Sequence, residues 1–386
     1  MSTDSGPHET ALLSPGGTSI FSLNSSVARL VVGTVDGIWI LCRASDGEWD
    51  IEHRALAGTF VSSLTRMPDG ALVAGTHHLG AAISRDDGRT WKWINKGLSQ
   101  FDIWVMKAER LQNRDVLIAG TMPAHLFISK DAETWRELTS LRNVPTAEGW
   151  FFPPPPHLGH VKDAVVTAKG DLLVGIEVGA LLRSHDQGES FEELPVDPDY
   201  TEIDIHRLLV HPDRPKRIVA ATGWGLKIST DQGSTWQRLD AAGINYPDAM
   251  VMHPDDPDFM IVAGAVGYPP NWYKINRARP RIARSNDGGK TWDRLLGGFP
   301  NGQRAAIGAM TLAASSDSTS IFIGDTDGQV FLSEDKGESW KIIYETGAVS
   351  KGEHYRGLMK GRPPMADLDE LRFAAQGQNR VENAKA

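Results

Sequence analysis

The chain has a single cysteine, Cys42, in 386 residues. No internal disulfide can form, so a cystine-stapled secreted scaffold is excluded. No apolar run approaches the roughly 20 residues that a membrane-spanning helix needs. The first seventeen residues, MSTDSGPHETALLSPGG, have neither a basic start nor an apolar core and do not read as a secretory signal. The expected location is cytoplasmic. Basic residues are in the minority, 40 Lys and Arg against 49 Asp and Glu, for a net charge of −9. That balance argues against nucleic acid or a membrane surface as a partner. Compact ligand spacings of the HExxH or CxxC kind are also missing.

What is present is repetition. One phrase reads Ser84-Arg-Asp86-Asp-Gly88-Arg-Thr90-Trp91 and returns at Ser129 to Trp135, Ser184 to Phe191, Ser229 to Trp236, Ser285 to Trp292 and Ser333 to Trp340. A weaker copy, Ser45-Asp46-Gly47-Glu-Trp49, opens the series, and the closing aromatic recurs after 42, 44, 56, 45, 56 and 48 residues. Such a period marks a repeat architecture. The phrase suits a hairpin turn: Asp and Ser oxygens can cap backbone N–H groups, and Gly takes a positive φ. The aromatic then starts the next strand and can wedge into the core, so Trp236→Ala is expected to cost about 3–5 kcal/mol. Around each phrase lie four short apolar runs. In the fifth copy they are Ile203–Val210, Arg217–Thr222, Leu226–Ser229 and Thr235–Leu239. Four strands per ~45 residues make one propeller blade. The expected fold is an all-β, seven-bladed β-propeller with four-stranded antiparallel blades.

Residues 18–356 are assigned to that single domain, 1–17 to a flexible lead-in, and 357–386 to a tail. Within the tail, Met365–Ala375 has an amphipathic pattern that could form a short helix. The first blade is expected to take its four strands from the start of the domain and the last blade from its end, with no strand exchanged between them.

The phrase resembles the Asp-box, or BNR repeat, of sialidases, xyloglucan-degrading glycosidases, sortilin-type receptors and a photosystem II assembly factor. Over roughly residues 25–345 the chain is similar to single-propeller bacterial BNR-repeat proteins labelled glycosyl hydrolase-like. Pro123-Ala-His125-Leu-Phe, Gly175-Ile-Glu177-Val-Gly179 and Asp204-Ile-His206 are the phrases that carry this resemblance. It implies the fold and is nearly silent on activity, because the relatives do unrelated things. A sialidase-like site would need a Phe-Arg-Ile-Pro-type motif near the first strand. The chain reads Ile20-Phe-Ser-Leu23 there, so a working sialidase is not expected.

In a propeller, two sets of loops meet at one end of the central channel: those joining blades and those joining the second and third strands of a blade. Seven of twelve histidines fall in or beside them: His77, His78, His125, His157, His160, His206 and His354. Imidazole and carboxylate are common ligands of divalent cations. His125, His160, Glu177 and His206, from adjacent blades, form the candidate metal set for one divalent ion. Asp204 orients them, and His206 or His160 acts as general base. The candidate catalytic residues are thus His206, His160 and Asp204. Candidate substrate contacts are Trp150, Trp224, Tyr246, Tyr268, Trp272, Arg304 and Arg356. The Pro-rich excursion Trp150-Phe-Phe-Pro-Pro-Pro-Pro156 could stand as a stiff wall over the pocket.

Three functions compete. The first is a hydrolase or lyase acting on a small polar or carbohydrate-derived substrate at a His/carboxylate site, with or without the metal. The second is a non-catalytic ligand-binding or assembly scaffold. The third is a glycosidase using loop carboxylates such as Asp102, Asp204 and Asp248, which would need two of them about 5–10 Å apart.

Overall fold

The computed structural model describes residues 9–199, 202–300 and 302–361. The repeated phrase folds as one recurring turn between the third and fourth strands of a blade. In the second blade Ser84 Oγ donates to Asp86 Oδ1 (2.8 Å) and accepts from the Gly88 amide (2.8 Å). Asp86 accepts in addition from the Thr90 amide (2.9 Å) and hydroxyl (2.6 Å), and the Trp91 indole donates to the Gly88 carbonyl (2.9 Å). The Ser and Asp bonds recur around Asp186, Asp231, Asp287 and Asp335. Gly88 holds φ +86°, the left-handed backbone the turn requires.

The strands form seven sheets arranged as a seven-bladed β-propeller. The second blade comprises Val61–Arg66, Leu72–Thr76, Gly80–Ser84 and Lys92–Trp93, antiparallel throughout. In the fifth, Ile205–Leu209, Ile218–Thr222, Gly225–Ser229 and Gln237–Leu239 fall within a residue or two of the expected runs. A buried apolar cluster fills the gap between every pair of neighbouring blades, the seventh and first included. Each blade is apolar on both faces and satisfies neither alone, so the ring closes as one core. Neighbouring blades pack closely near the axis: a Cβ on Gly120 or Gly175 would come within 2.4 Å of the Val161 or Ile205 side chain of the next blade.

The start of the chain departs from the expectation. The propeller begins at Thr10, not at residue 18. Thr10–Leu13 is fully buried and runs parallel to Arg29–Thr34 as the innermost strand of the first blade. Ile20–Ser22 runs parallel to Ile307–Ala314 of the seventh blade. The first and last blades each keep four strands of their own, as expected, but Ile20–Ser22 joins the seventh as a fifth strand and latches the start of the chain to its end. Between them residues 14–19 cross the channel. Gly16 N donates to Ser62 O (2.9 Å), Thr18 N to Leu64 O (2.9 Å) and Met106 N to Gly16 O (3.2 Å). The reason is burial: Ala11, Leu12 and Leu13 are 0% exposed, and a segment this apolar beside an open channel fills it.

At the other end, the chain leaves the last strand, Lys341–Glu345, and passes over the channel mouth as a strap ending in a 3-10 turn, Glu353–Leu358. The expected tail helix at 365–375 lies outside the described residues. No helix among the described residues is long and apolar enough to cross a membrane.

Candidate functional site

The site is built by a defect repeated in the sheets. Every innermost strand from the second blade to the seventh carries a register shift near its start, at Val61/Ser63, Ile103/Val105, Val161/Asp163, Ile205/Arg207, Pro247/Ala249 and Ile307/Ala309. The residues left unpaired are Ser62, Trp104, Lys162, His206, Asp248 and Gly308. A bulge turns the extra residue out of the ladder and re-aims its side chain. Trp104, Lys162, His206 and Asp248 thereby line one enclosed space on the axis, with Arg207, Lys351 of the strap, and Pro15 and Gly16 of the N-terminal turn. Its volume is about 10 Å³, room for one water molecule at most. At the seventh equivalent position Gly308 leaves room for the strap, since a Cβ there would lie 2.0 Å from the Val349 carbonyl oxygen.

Around His206 the acceptors outnumber the donors. Its Nδ1 lies 2.8 Å from the Pro247 carbonyl, an acceptor only, so Nδ1 carries a proton and Nε2 presents its lone pair in the neutral ring. That Nε2 faces Asp204 Oδ1 at 3.3 Å and Glu177 Oε1 at 3.7 Å. Nε2 and Asp204 Oδ1 are buried and have no hydrogen-bond partner. Two donors sharing an ion at about 2.0–2.2 Å stand roughly 3–3.5 Å apart, close to these spacings. Glu177, Asp204 and His206 are the group whose ligand atoms, all within 4.8 Å of one another, could hold a metal ion. Glu177 also meets His160 Nε2 through Oε2 (3.1 Å) and forms an ion pair with Lys162. Burial opposes its charge, but Lys162, His160 and His206 outweigh that and hold its carboxyl well below the usual range. His160, 0% exposed, is pushed toward its neutral form: burial lowers its imidazole and the Glu177 contact only partly offsets it.

Aromatic rings seal the cluster. The Trp104 ring lies over His160 with centroids 3.8 Å apart, and Phe152 meets His160 edge-on at 4.8 Å. His354 of the strap packs on Phe152 (5.0 Å), and burial drives its imidazole well below its usual value. Lys351 forms an ion pair with Asp248, and the Tyr355 hydroxyl donates to the same carboxylate (3.3 Å). Burial, with Lys162 and Arg207 nearby, pulls the Lys351 amine well below the usual lysine range, and the Glu177 carboxylate only partly works against them.

Three of the four expected metal ligands meet here: His160, Glu177 and His206. His125 does not. It precedes the third strand of its blade, Leu126–Ser129, and bonds Glu137 of the fourth through Nδ1 (2.7 Å), in the outer half of the blade and away from the axis. Asp204, expected beside the set, belongs inside it. Tyr246 packs on His206 (4.5 Å), and Trp272 and Tyr268 continue the aromatic run to Trp224, which is exposed. Trp150 supports the loop instead of facing the site: it donates to Thr146 Oγ1 (2.9 Å) and lies on Gly179. The ring that reaches the site from that excursion is Phe152. Arg304 and Arg356 are each matched by a neighbouring carboxylate, Asp327 and Glu353, so neither is a bare clamp. Of the other loop acids, Asp102 is paired with His77. Sequence reasoning missed Lys162, Arg207 and Lys351. The first two are charges inside otherwise apolar inner strands, a signal that aligning the repeats would expose. Lys351 lies beyond the repeats and gives no such signal.

No family model matches the chain, and no curated protein matches it. Solved structures do. An ancestral GH74 enzyme aligns with TM-score 0.54 at 14% identity, covering 72% of this chain and 37% of its own. YCF48 bound to D1 peptide aligns with TM-score 0.52 at 15% identity, covering 81% and 92%. Virginiamycin B lyase from Staphylococcus aureus aligns with TM-score 0.50 at 12% identity, covering 83% and 92%. This chain therefore spans little more than a third of the GH74 enzyme. At these identities the likenesses show a shared propeller fold and nothing finer.

Proposed function

We propose that this propeller is a hydrolase or lyase acting on a small polar or carbohydrate-derived substrate, with one divalent cation held by Glu177, Asp204 and His206. The observation that carries the reading is the His206 lone pair facing two carboxylate oxygens in a buried site. Three negative or electron-rich atoms this close repel one another unless a cation lies among them. Such an ion would polarise a carbonyl or acidify a bound water. The chain's own groups divide the remaining work. Pro247 fixes the His206 tautomer. Lys162 keeps Glu177 ionised. His160, kept neutral by burial, is the group left to take a proton, and Trp104 and Phe152 exclude bulk water from it. A glycosidase fits less well, because a glycan needs an open cleft and this space is enclosed.

The same enclosure supports the second reading, a ligand-binding or assembly scaffold with the charge cluster as buried structure. Elemental analysis of the purified protein, with melting curves before and after chelation, separates the two. About one equivalent of a divalent metal is expected, lost in Asp204→Asn and His206→Ala and kept in His125→Ala. Metal-free protein whose melting is unmoved by added cation or chelator would leave the scaffold.

A further inference from the structure

The cations of the site converge on a space distinct from the one that would hold the metal. Lys162, Arg207 and Lys351 line the axial cavity, and the side chain of each is less than a tenth exposed. Arg207 is anchored from below by the Pro15 carbonyl and by Asp163, a carboxylate it shares with Lys107 (3.2 Å). Lys162 is turned to Glu177. Lys351 stands against Asp248, yet its Nζ is buried without a properly aligned acceptor.

Charge balance gives this arrangement a consequence. With Lys351 ionised, four cations, Lys107, Lys162, Arg207 and Lys351, stand against four carboxylates, Asp163, Glu177, Asp204 and Asp248. Among these eight groups the charges balance before any ion enters. A divalent cation would leave two buried positive charges unmatched, and buried charge without a counter-charge is costly. An anion in the axial cavity would offset them. It would also give the Lys351 ammonium a second anionic partner beside Asp248 and favour its protonated state.

We propose that the site takes an anionic substrate, a small carboxylic acid, whose carboxylate is received by Lys351 in the axial cavity beside the metal. The inference rests on the metal reading above and adds the substrate class. Lys351 is then a substrate-binding residue delivered by the strap. Because the cavity holds little more than one oxygen atom, the rest of the acid must displace the covering strap residues His354 and Tyr355.

The test uses formate, the smallest carboxylate, and needs no knowledge of the reaction. Zinc is titrated into metal-free protein by calorimetry, with formate or with chloride at matched ionic strength. Binding partners that stabilise each other must do so reciprocally. Formate should therefore tighten zinc uptake about tenfold, a coupling of about 1.4 kcal/mol. In Lys351→Met zinc should still bind and the formate effect should vanish. Asp248→Asn removes the competing carboxylate, so the formate effect should grow there, a direction that a merely structural Lys351 would not produce. This second variant also covers the case in which Lys351→Met does not fold. Zinc uptake indifferent to formate in wild type and in Asp248→Asn overturns the carboxylate inference alone. Absence of zinc uptake in any buffer overturns the metal reading and this inference with it.

Discussion

His125 and His206 are both loop-adjacent histidines next to a carboxylate, yet only one of them faces the axis. His206 occupies the bulge of an inner strand, whereas His125 precedes a third strand and turns to Glu137. Neighbours in sequence separate in the same way at Trp150 and Phe152. Phe152 is 4% exposed and touches Trp104, His160 and His354. Phe152→Ala should cost about 3–5 kcal/mol in denaturant unfolding and speed loss of the proposed metal to a chelator. Trp150→Ala should leave that rate unchanged, and equal acceleration in both variants would mean that Phe152 is not the seal. Histidine enrichment in the pocket loops is legible in the sequence. Which histidines converge is not, because a bulge shifts a side chain by one register position and leaves composition untouched.

The repeated turn is the element the sequence describes best, since its Ser and Asp hydrogen bonds lie within a few residues. Its aromatic is less uniform than the repeat suggests. Trp135 and Trp340 are buried at 6% and 5% exposure, while Trp91, Trp236 and Trp292 are only half-buried. Trp340→Ala should therefore cost about 3–5 kcal/mol and Trp236→Ala roughly half as much, less than the repeat alone suggests. Equal losses in melting experiments would show that exposure does not govern the wedge. The turn also predicts an acid limit. Hydrogen bonds from Thr or Ser hydroxyls and amides lower Asp86, Asp186, Asp231 and Asp287 to about 2. A carboxylate depressed in the folded state adds stability above its unfolded value near 3.9 and loses it as pH falls through the folded one. Stability should be flat above about pH 4 on this account and fall between about pH 4 and 2. Asp231→Asn should weaken that acid step, and an unchanged profile would remove these turns as its cause.

The N-terminal segment and the C-terminal strap turn seven repeats into one molecule with a floor and a roof. Gly16 lies against the Trp104 carbonyl, where a Cβ would sit 1.8 Å from the oxygen. Gly16→Val should lower the melting temperature and loosen the proposed metal site together, because Pro15 anchors Arg207. Melting unchanged by that substitution would mean the turn does not brace the site. The repeat period, the alternation of apolar residues and the turn chemistry were all readable from the chain, and they sufficed for seven blades. Each rests on contacts between residues close in sequence, so local spelling encodes it. The closure and the site rest on other contacts. Pro15 meets Arg207 across 192 positions, and His77 meets the Lys351 carbonyl across 274. No local pattern records such pairs. They come into being only when the ring has closed and burial on the axis favours the pairing of polar groups brought within reach.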